Sequence, residues 1–359
     1  MKSPQCDPEM TMASFPTTPL VRLIPPTNDP APVHALAFSN GSGTYLLTGS
    51  ANRSIRLWNP AAKPPSNNPV KGNGLLNSAS SSSPVPIQSY SAHGHEILDL
   101  AISSDNSKFV SVGGDKTVFL WDVSTAQTLR RFNGHAGRVN ACAFGGEGDS
   151  VAVSGSFDGS IKCWDLRSRS DKAISTFAEA KDTVSSVAVV GGEVFAGSVD
   201  GRVRVYDLRT GCVDVDVLAA SVTSVVPSAD GESYLASTLD SSLRLMDRKT
   251  GKCLQTFQHQ DYRNETYRVR SMLAMGDAFA ISGGEDGSVF MWDVLSGELR
   301  ERVWHKRNAD GGGGGGGYGE QGFGSKRDVV SAVAWNPARK TWASAGGDGS
   351  VVVWGSGEG

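Results

Sequence analysis

The alternation of apolar and polar residues along the chain repeats one short phrase seven times. SIRLWN ending at Asn59, TVFLWD at Asp122, SIKCWD at Asp165, RVRVYD at Asp207, SLRLMD at Asp247, SVFMWD at Asp293 and SVVVWG at Gly355 each alternate over five or six positions. That is the period-2 signature of a β-strand. The aromatic or apolar member of each copy is Trp58, Trp121, Trp164, Tyr206, Met246, Trp292 and Trp354. Six residues before it stand Asn52, Asp115, Asp158, Asp200, Asp240, Asp286 and Asp348. An acidic or amide residue in that phase, usually followed by Gly, Lys or Ser, makes a tight turn that joins two antiparallel strands.

Successive copies lie 63, 43, 42, 40, 46 and 62 residues apart, so the unit is a little over forty residues with two long insertions. This is the period of a four-stranded propeller blade, and the predicted fold is an all-β, seven-bladed β-propeller. Stacked helical repeats do not fit segments of period 2 that are broken every few residues by Gly, Ser and Asp. The seventh copy stops after its third strand. Leu20 to Ile24 (LVRLI) supplies an apolar segment ahead of the first repeat, and pairing it with Val351 to Trp354 would close the ring and hide an edge strand. The expected organisation is a disordered tail over 1–18 and one propeller over 19–359. Insertions at 60–86, rich in Pro, Asn and Ser, and at 308–327, with seven glycines from Gly311 to Gly317, are expected to be disordered. By blade topology the two insertions leave opposite faces of the disc.

Composition narrows the class without changing it. Thirty-four Lys and Arg against 37 Asp and Glu give a net charge of −3, so no polycationic surface for nucleic acid is present. The five cysteines, Cys6, Cys142, Cys163, Cys212 and Cys253, contain no C-x-x-C pair and suggest neither a disulfide framework nor a zinc site. Seven prolines in the first thirty residues leave no apolar core for an ordinary secretory signal, and no apolar run approaches the roughly 20 residues of a membrane span. A cytoplasmic or nuclear protein is expected, and the glycosylation tripeptides at Asn40, Asn52 and Asn264 then carry no meaning. No cofactor and no metal are expected.

His93, Ser111, Asp115 and Trp121 in the second repeat recur at nearly the same offsets as His135, Ser154, Asp158 and Trp164 in the third. Ser, His and Asp together suggest a hydrolase, but one copy per repeat argues for a buried hydrogen-bond chain in which each polar group satisfies the next. His259, Ser282, Asp286 and Trp292 form a partial third set. The glycine tract lacks the G-x-x-x-x-G-K-[ST] arrangement of a phosphate loop and reads as a linker. Gly322-Phe323-Gly324-Ser325-Lys326-Arg327 offers two cations beside an aromatic, too few for a nucleic-acid site. Ser3-Pro4, Thr18-Pro19 and Ser83-Pro84 are turn dipeptides that a proline-directed kinase would also accept. No enzyme is indicated.

GHAGRVNACAF and GSFDGSIKCWDLRSR resemble the Gly-His and Trp-Asp signatures of WD-repeat propellers. AHGHEILDLAIS, GGDKTVFLWDV, EAKDTVSSVAV, AGSVDGRVRVYDLRTG and TLDSSLRLMDRKTG extend the resemblance, over about residues 88–295, to the mitogen-activated protein kinase organizer family. That resemblance implies a non-enzymatic scaffold associated with MAP kinase cascade components and with spliceosomal proteins in pre-mRNA splicing complexes. The Ser-rich and Gly-rich insertions and the Pro-rich N-terminus depart from the family pattern.

A rigid ring leaves partner binding to loop and rim residues. Residues flanking the inward apolar position of each first strand should face the central channel. This selects Glu96, Arg138, Asn140, Arg268 and Arg270, with Phe157 and Leu239 just before the turn Asp of their blades, as candidates for protein partners. A monomeric ring is expected, without membrane contact or direct contact with nucleic acid. Trp164-Asp165-Leu166-Arg167 and Tyr206-Asp207-Leu208-Arg209 resemble the Trp-Asp-x-Arg motif of cullin-ligase substrate receptors, which makes Arg167 and Arg209 the candidates of an alternative scaffold class.

Overall fold

In the computed structural model, residues 15–25, 31–62, 84–306 and 328–356 are described. They form 28 strands in seven four-stranded antiparallel sheets, each a blade. β1 (Thr18–Leu23) precedes blade one, which is β2 (Val33–Phe38), β3 (Leu46–Ser50), β4 (Ile55–Trp58) and β5 (Gln88–Tyr90). Blade two is β6 (Ile97–Ile102), β7 (Lys108–Gly113), β8 (Thr117–Asp122) and β9 (Thr128–Asn133). Blade three is β10 (Val139–Gly145), β11 (Val151–Ser156), β12 (Ile161–Asp165) and β13 (Ser175–Phe177). Blade four is β14 (Val184–Val190), β15 (Glu193–Ser198), β16 (Arg202–Asp207) and β17 (Val213–Val217). Blade five is β18 (Val222–Pro227), β19 (Ser233–Thr238), β20 (Ser242–Asp247) and β21 (Cys253–Phe257). Blade six is β22 (Ser271–Ala274), β23 (Phe279–Gly283), β24 (Ser288–Asp293) and β25 (Leu299–Trp304), and blade seven holds β26 (Val330–Asn336), β27 (Thr341–Gly346) and β28 (Val351–Gly355).

The fourth strand of blade seven is β1. It runs antiparallel to β28 with Val21 opposite Val353, Arg22 opposite Val352 and Leu23 opposite Val351, so the two ends of the chain close the ring as the sequence predicts. The closing segment begins earlier than the boundary expected at residue 19. Phe15 is buried against Phe279, Trp335 and Trp342, and the Trp342 indole donates to the Pro16 carbonyl at 2.7 Å. Phe15 and Pro16 are thus part of the core. Residues 1–14 lie outside the described residues, as do 63–83 and 307–327, which hold most of the two expected insertions.

Each interface between neighbouring blades has its own apolar cluster. One is Leu23, Leu46, Trp58, Val351 and Val353 between blades seven and one; another is Phe195, Val205, Val222, Tyr234 and Met246 between blades four and five. In blades three and four, tight contact depends on glycine in the second strand. A Cβ at Gly155 would lie 2.6 Å from Val184 Cγ1, and one at Gly197 would lie 2.6 Å from Val222 Cγ1, so only glycine lets the next blade approach. The residue after each phased Asp or Asn, from Arg53 (φ 67°) and Lys116 (φ 62°) to Gly349 (φ 80°), has left-handed backbone, which is the turn that the sequence pattern requires.

Candidate interaction site at the channel mouth

Every first strand except that of blade six carries a register shift near its start, between Val33 and Ala35, Ile97 and Asp99, Val139 and Ala141, Val184 and Ser186, Val222 and Ser224, and Val330 and Ala332. In blades three, four and seven the side chain of the extra residue ties the next blade. Asn140 donates to the Val184 carbonyl at 2.9 Å, Ser185 to that of Val222, and Ser331 to that of Val33 at 2.8 Å. Blade six has Arg270 in this position. Its guanidinium crosses the channel to Asp99 at 2.7 Å and to the Leu98 carbonyl at 3.0 Å, both in blade two. Arg268 reaches across to the Asn140 carbonyl in blade three at 2.7 Å.

A cavity of about 230 Å³ opens at this mouth. Glu96, Arg138, Asn140, Arg268 and Arg270 all line it, so five of the residues chosen from the sequence are brought together. Phe157 and Leu239 do not line it. Phe157 is 56% exposed on the rim under the Arg138 guanidinium, 5.3 Å from its ring centroid, and Leu239 is half-buried in blade five, its N–H bonded to the Ser221 carbonyl. His34, Leu98, Val329 and Ser331 also line the mouth and were missed, although the same offset rule applied to blades one, two and seven would have found them. Tyr267, and Asp99 behind Arg270, had no such signal. Arg270 is committed to the buried Asp99 and is therefore as much a brace of the ring as a partner contact.

The predicted hydrogen-bond sets in blades two and three are closed chains. Trp121 Nε1 donates to Ser111 Oγ at 2.8 Å, Ser111 Oγ and His93 Nε2 are 2.6 Å apart, and His93 Nδ1 and Asp115 Oδ2 are 2.6 Å apart. Ser111 Oγ, accepting from the indole, can give its own proton to Nε2, which leaves Nδ1 to donate to the aspartate. In blade three the corresponding distances are 2.8, 2.8 and 3.1 Å through Trp164, Ser154, His135 and Asp158. Burial pushes the His135 imidazole down, against the pull of Asp158. Burial alone would raise Asp158, but the Ser160 hydroxyl and N–H, the Ala136 N–H and His135 hold it well below the usual carboxylate range. Ser111 and Ser154 have no exposed surface, so neither can meet a substrate.

The partial third set is not assembled as expected. His259 stays on the surface, 3.9 Å from Asp261, while the buried Tyr262 hydroxyl takes Ser282 at 3.0 Å and Trp292 Nε1 is left without a partner among the described residues. Asp286 pairs with Arg302 at 2.7 Å instead. The true third set is in blade seven: Trp354 Nε1 donates to Ser344 Oγ at 2.8 Å, and His305 Nδ1 lies 2.8 Å from that oxygen. Arg167 and Arg209 are both exposed. Arg167 donates to the Glu147 carbonyl at 2.5 Å, and the Arg209 side chain is 78% exposed beside Asp207.

Among the described residues no cluster of His, Cys, Asp and Glu could hold a metal, and no helix is long and apolar enough to cross a membrane. Sheets, closure and phased turns define a WD-repeat β-propeller. The family model described as "WD domain, G-beta repeat" matches residues 21–59, 84–122, 126–165 and 321–355, and one described as "Outer membrane protein assembly factor BamB" matches 157–312. The chain is 43% identical over 267 residues to WD repeat domain-containing protein 83 of Rattus norvegicus, which covers 74% of this chain and 77% of that protein. It is 37% identical over 263 residues to an uncharacterized WD repeat-containing protein of Schizosaccharomyces pombe, covering 73% and 80%. The Homo sapiens WD repeat domain-containing protein 83 is 42% identical over 267 residues, again covering 74% and 77%. The chain belongs to the WD repeat domain-containing protein 83 family, which is the mitogen-activated protein kinase organizer family that its motifs resemble.

Proposed function

We propose that the chain is a non-enzymatic scaffold that docks protein partners on its channel-mouth face and assembles complexes of MAP kinase signalling and pre-mRNA splicing, in cytoplasm and nucleus. The observation that carries this reading is the convergence of Arg138, Arg268, Tyr267 and Glu96 on one cavity of a braced ring, with Phe157 exposed on its rim. Arginine and aromatic side chains on a rigid frame are the usual anchors of protein interfaces. Membership of a WD-repeat family supports protein partners in general; the two pathways rest on the family resemblance. A ring closed on itself needs no second copy, so a monomer is the working unit.

The test is affinity purification of the tagged intact chain from nuclear and cytoplasmic extracts, in parallel with Arg138→Glu and Phe157→Ala. Recovery of kinase-cascade or spliceosomal proteins that either variant loses while melting normally supports the reading; identical recovery by both folded variants overturns it. Arg270→Glu is unsuitable, because it sets two carboxylates against each other in the channel. The exposure of Arg209 keeps a second reading in play, a cullin-ligase receptor docking through Arg167 and Arg209. It requires a ligase adaptor in the same purification that Arg167→Ala with Arg209→Ala removes.

A further inference from the structure

The channel mouth holds more positive charge than its own carboxylates neutralise. Arg270 is matched by Asp99 at 2.7 Å. Among the described residues Arg268 has no carboxylate within ion-pair distance; one amino group is bonded to the Asn140 carbonyl and its buried Nε has no acceptor. Arg138 is exposed, and its guanidinium lies over the Phe157 ring without an ion pair among the described residues. The acidic residue of the lining, Glu96, has a side chain that is 39% exposed and stands 3.9 Å from His34 Nε2. A guanidinium withdrawn from water without an anion is a destabilising element, and like charges beside it add repulsion. Burial first, and then Arg270 and Arg138, push Arg268 below its ordinary value against the weaker pull of the more distant Asp99.

Such an arrangement is stable when something from outside completes it. Three guanidiniums less the carboxylates of Asp99 and Glu96 leave about one net positive charge, which matches a monoanion better than a phosphate dianion. Leu98, Val329 and Pro32 line the same cavity and suit the methylene groups of an acidic side chain. A cavity of about 230 Å³ has ample room for one such side chain. The forked N–H groups of arginine fit a planar carboxylate. With the chain itself at −3, a nucleic-acid polyanion is not drawn to this mouth.

We infer that the channel mouth is a receptor for a single carboxylate side chain, a glutamate or aspartate presented by a partner protein, with the guanidiniums of Arg268 and Arg138, both of which line the cavity, as its donors. This rests on the docking reading above and names what that face recognises.

The experiment is an NMR titration of the full chain labelled with 15N-arginine, using N-acetyl-glutamate N-methylamide, its glutamine isostere, and inorganic phosphate as probes. The expected result is saturable movement of the buried Arg268 Nε–H resonance with the glutamate probe, at least tenfold weaker response to the glutamine probe, and at least fivefold weaker glutamate binding in Arg138→Gln. Equal response to both amino-acid probes, tighter binding of phosphate than of glutamate, or unaltered binding in a folded Arg138→Gln each overturns the inference. The docking reading fails separately: if no probe binds but Arg138→Glu still strips partners in the purification, the face stands and only its carboxylate specificity is lost.

Discussion

Blades two and three hold their turn aspartates by one device, and blades four and five by another. In the first pair an indole N–H, a serine, a histidine and the aspartate form a chain. In the second, an arginine two residues before the third-strand anchor takes the aspartate directly: Arg204 to Asp200 at 2.7 and 3.2 Å, and Arg244 to Asp240 at 2.6 Å. The serine position changes with it. Ala196 and Ala236 replace Ser111 and Ser154 where the anchor is Tyr206 or Met246, which carry no indole N–H. At this position a serine or threonine accompanies a tryptophan anchor in each of the other blades, where the indole N–H can meet the hydroxyl. Blade six shows the consequence of mixing the two, since Tyr262 claims Ser282 and Trp292 Nε1 has no partner among the described residues.

The largest effect separates both devices from the ring that contains them. Deleting residues 1–25 removes β1 and the Phe15 anchor, and thermal melting is expected to lose its cooperativity in all seven blades; an unchanged melt would mean that neither closure nor anchor holds the ring. Next comes the arginine device. Asp200→Ala strands the Arg204 guanidinium, whose side chain is 4% exposed, and should cost about 3–5 kcal/mol in urea unfolding. Adding Arg204→Met should restore much of that loss, and failure to do so would show that the pair is not the relevant contact.

In the serine device, Ser154→Ala leaves the Trp164 N–H without its acceptor and the His135 Nε2 without its donor, for a loss of about 1–3 kcal/mol. The reciprocal Ala196→Ser in blade four should give no gain, and a more stable variant would contradict the matching rule. Acid distinguishes the two devices further. The folded state holds His135 neutral with its pKa below the unfolded value of about 6.5, so the unfolded chain binds more protons in that window. This stability is complete above about pH 6.5 and falls as pH drops toward the folded value, by less than about 1.4 kcal/mol per pH unit. Asp240 is pushed down to about 2, because bonds from Arg244, Ser242 and Thr238 outweigh its burial, so its contribution is lost only as pH falls from about 4 toward 2. Melting temperatures from pH 7 to 5 should therefore fall in the wild type and less in His135→Gln. The smallest effect is Arg244→Met. That pair is partly exposed, and a loss of about 0.2–1 kcal/mol, shrinking in high salt, is expected by the same urea assay.

Much of this was legible before any coordinates. Seven blades, their turns and the closing strand follow from alternation and from one phased acidic residue, which are properties of consecutive positions. The locks of blades two and three were readable because His, Ser, Asp and Trp fall at repeated short offsets. The lock of blade seven was not, since the insertion at 307–327 separates His305 from Ser344 and destroys the offset. Blade six misled because Tyr262, only three residues from His259, fills the same site in space.

Local pattern alone therefore determined the fold, the ring closure and the phase of residues facing the channel. Only the tertiary structure decided that Arg270 meets Asp99, that Arg268 is left without an anion, and that Leu239 belongs to neither. Strand pairing is set by neighbours in sequence, whereas contacts across the channel exist only once the ring has closed and brought blade six opposite blades two and three.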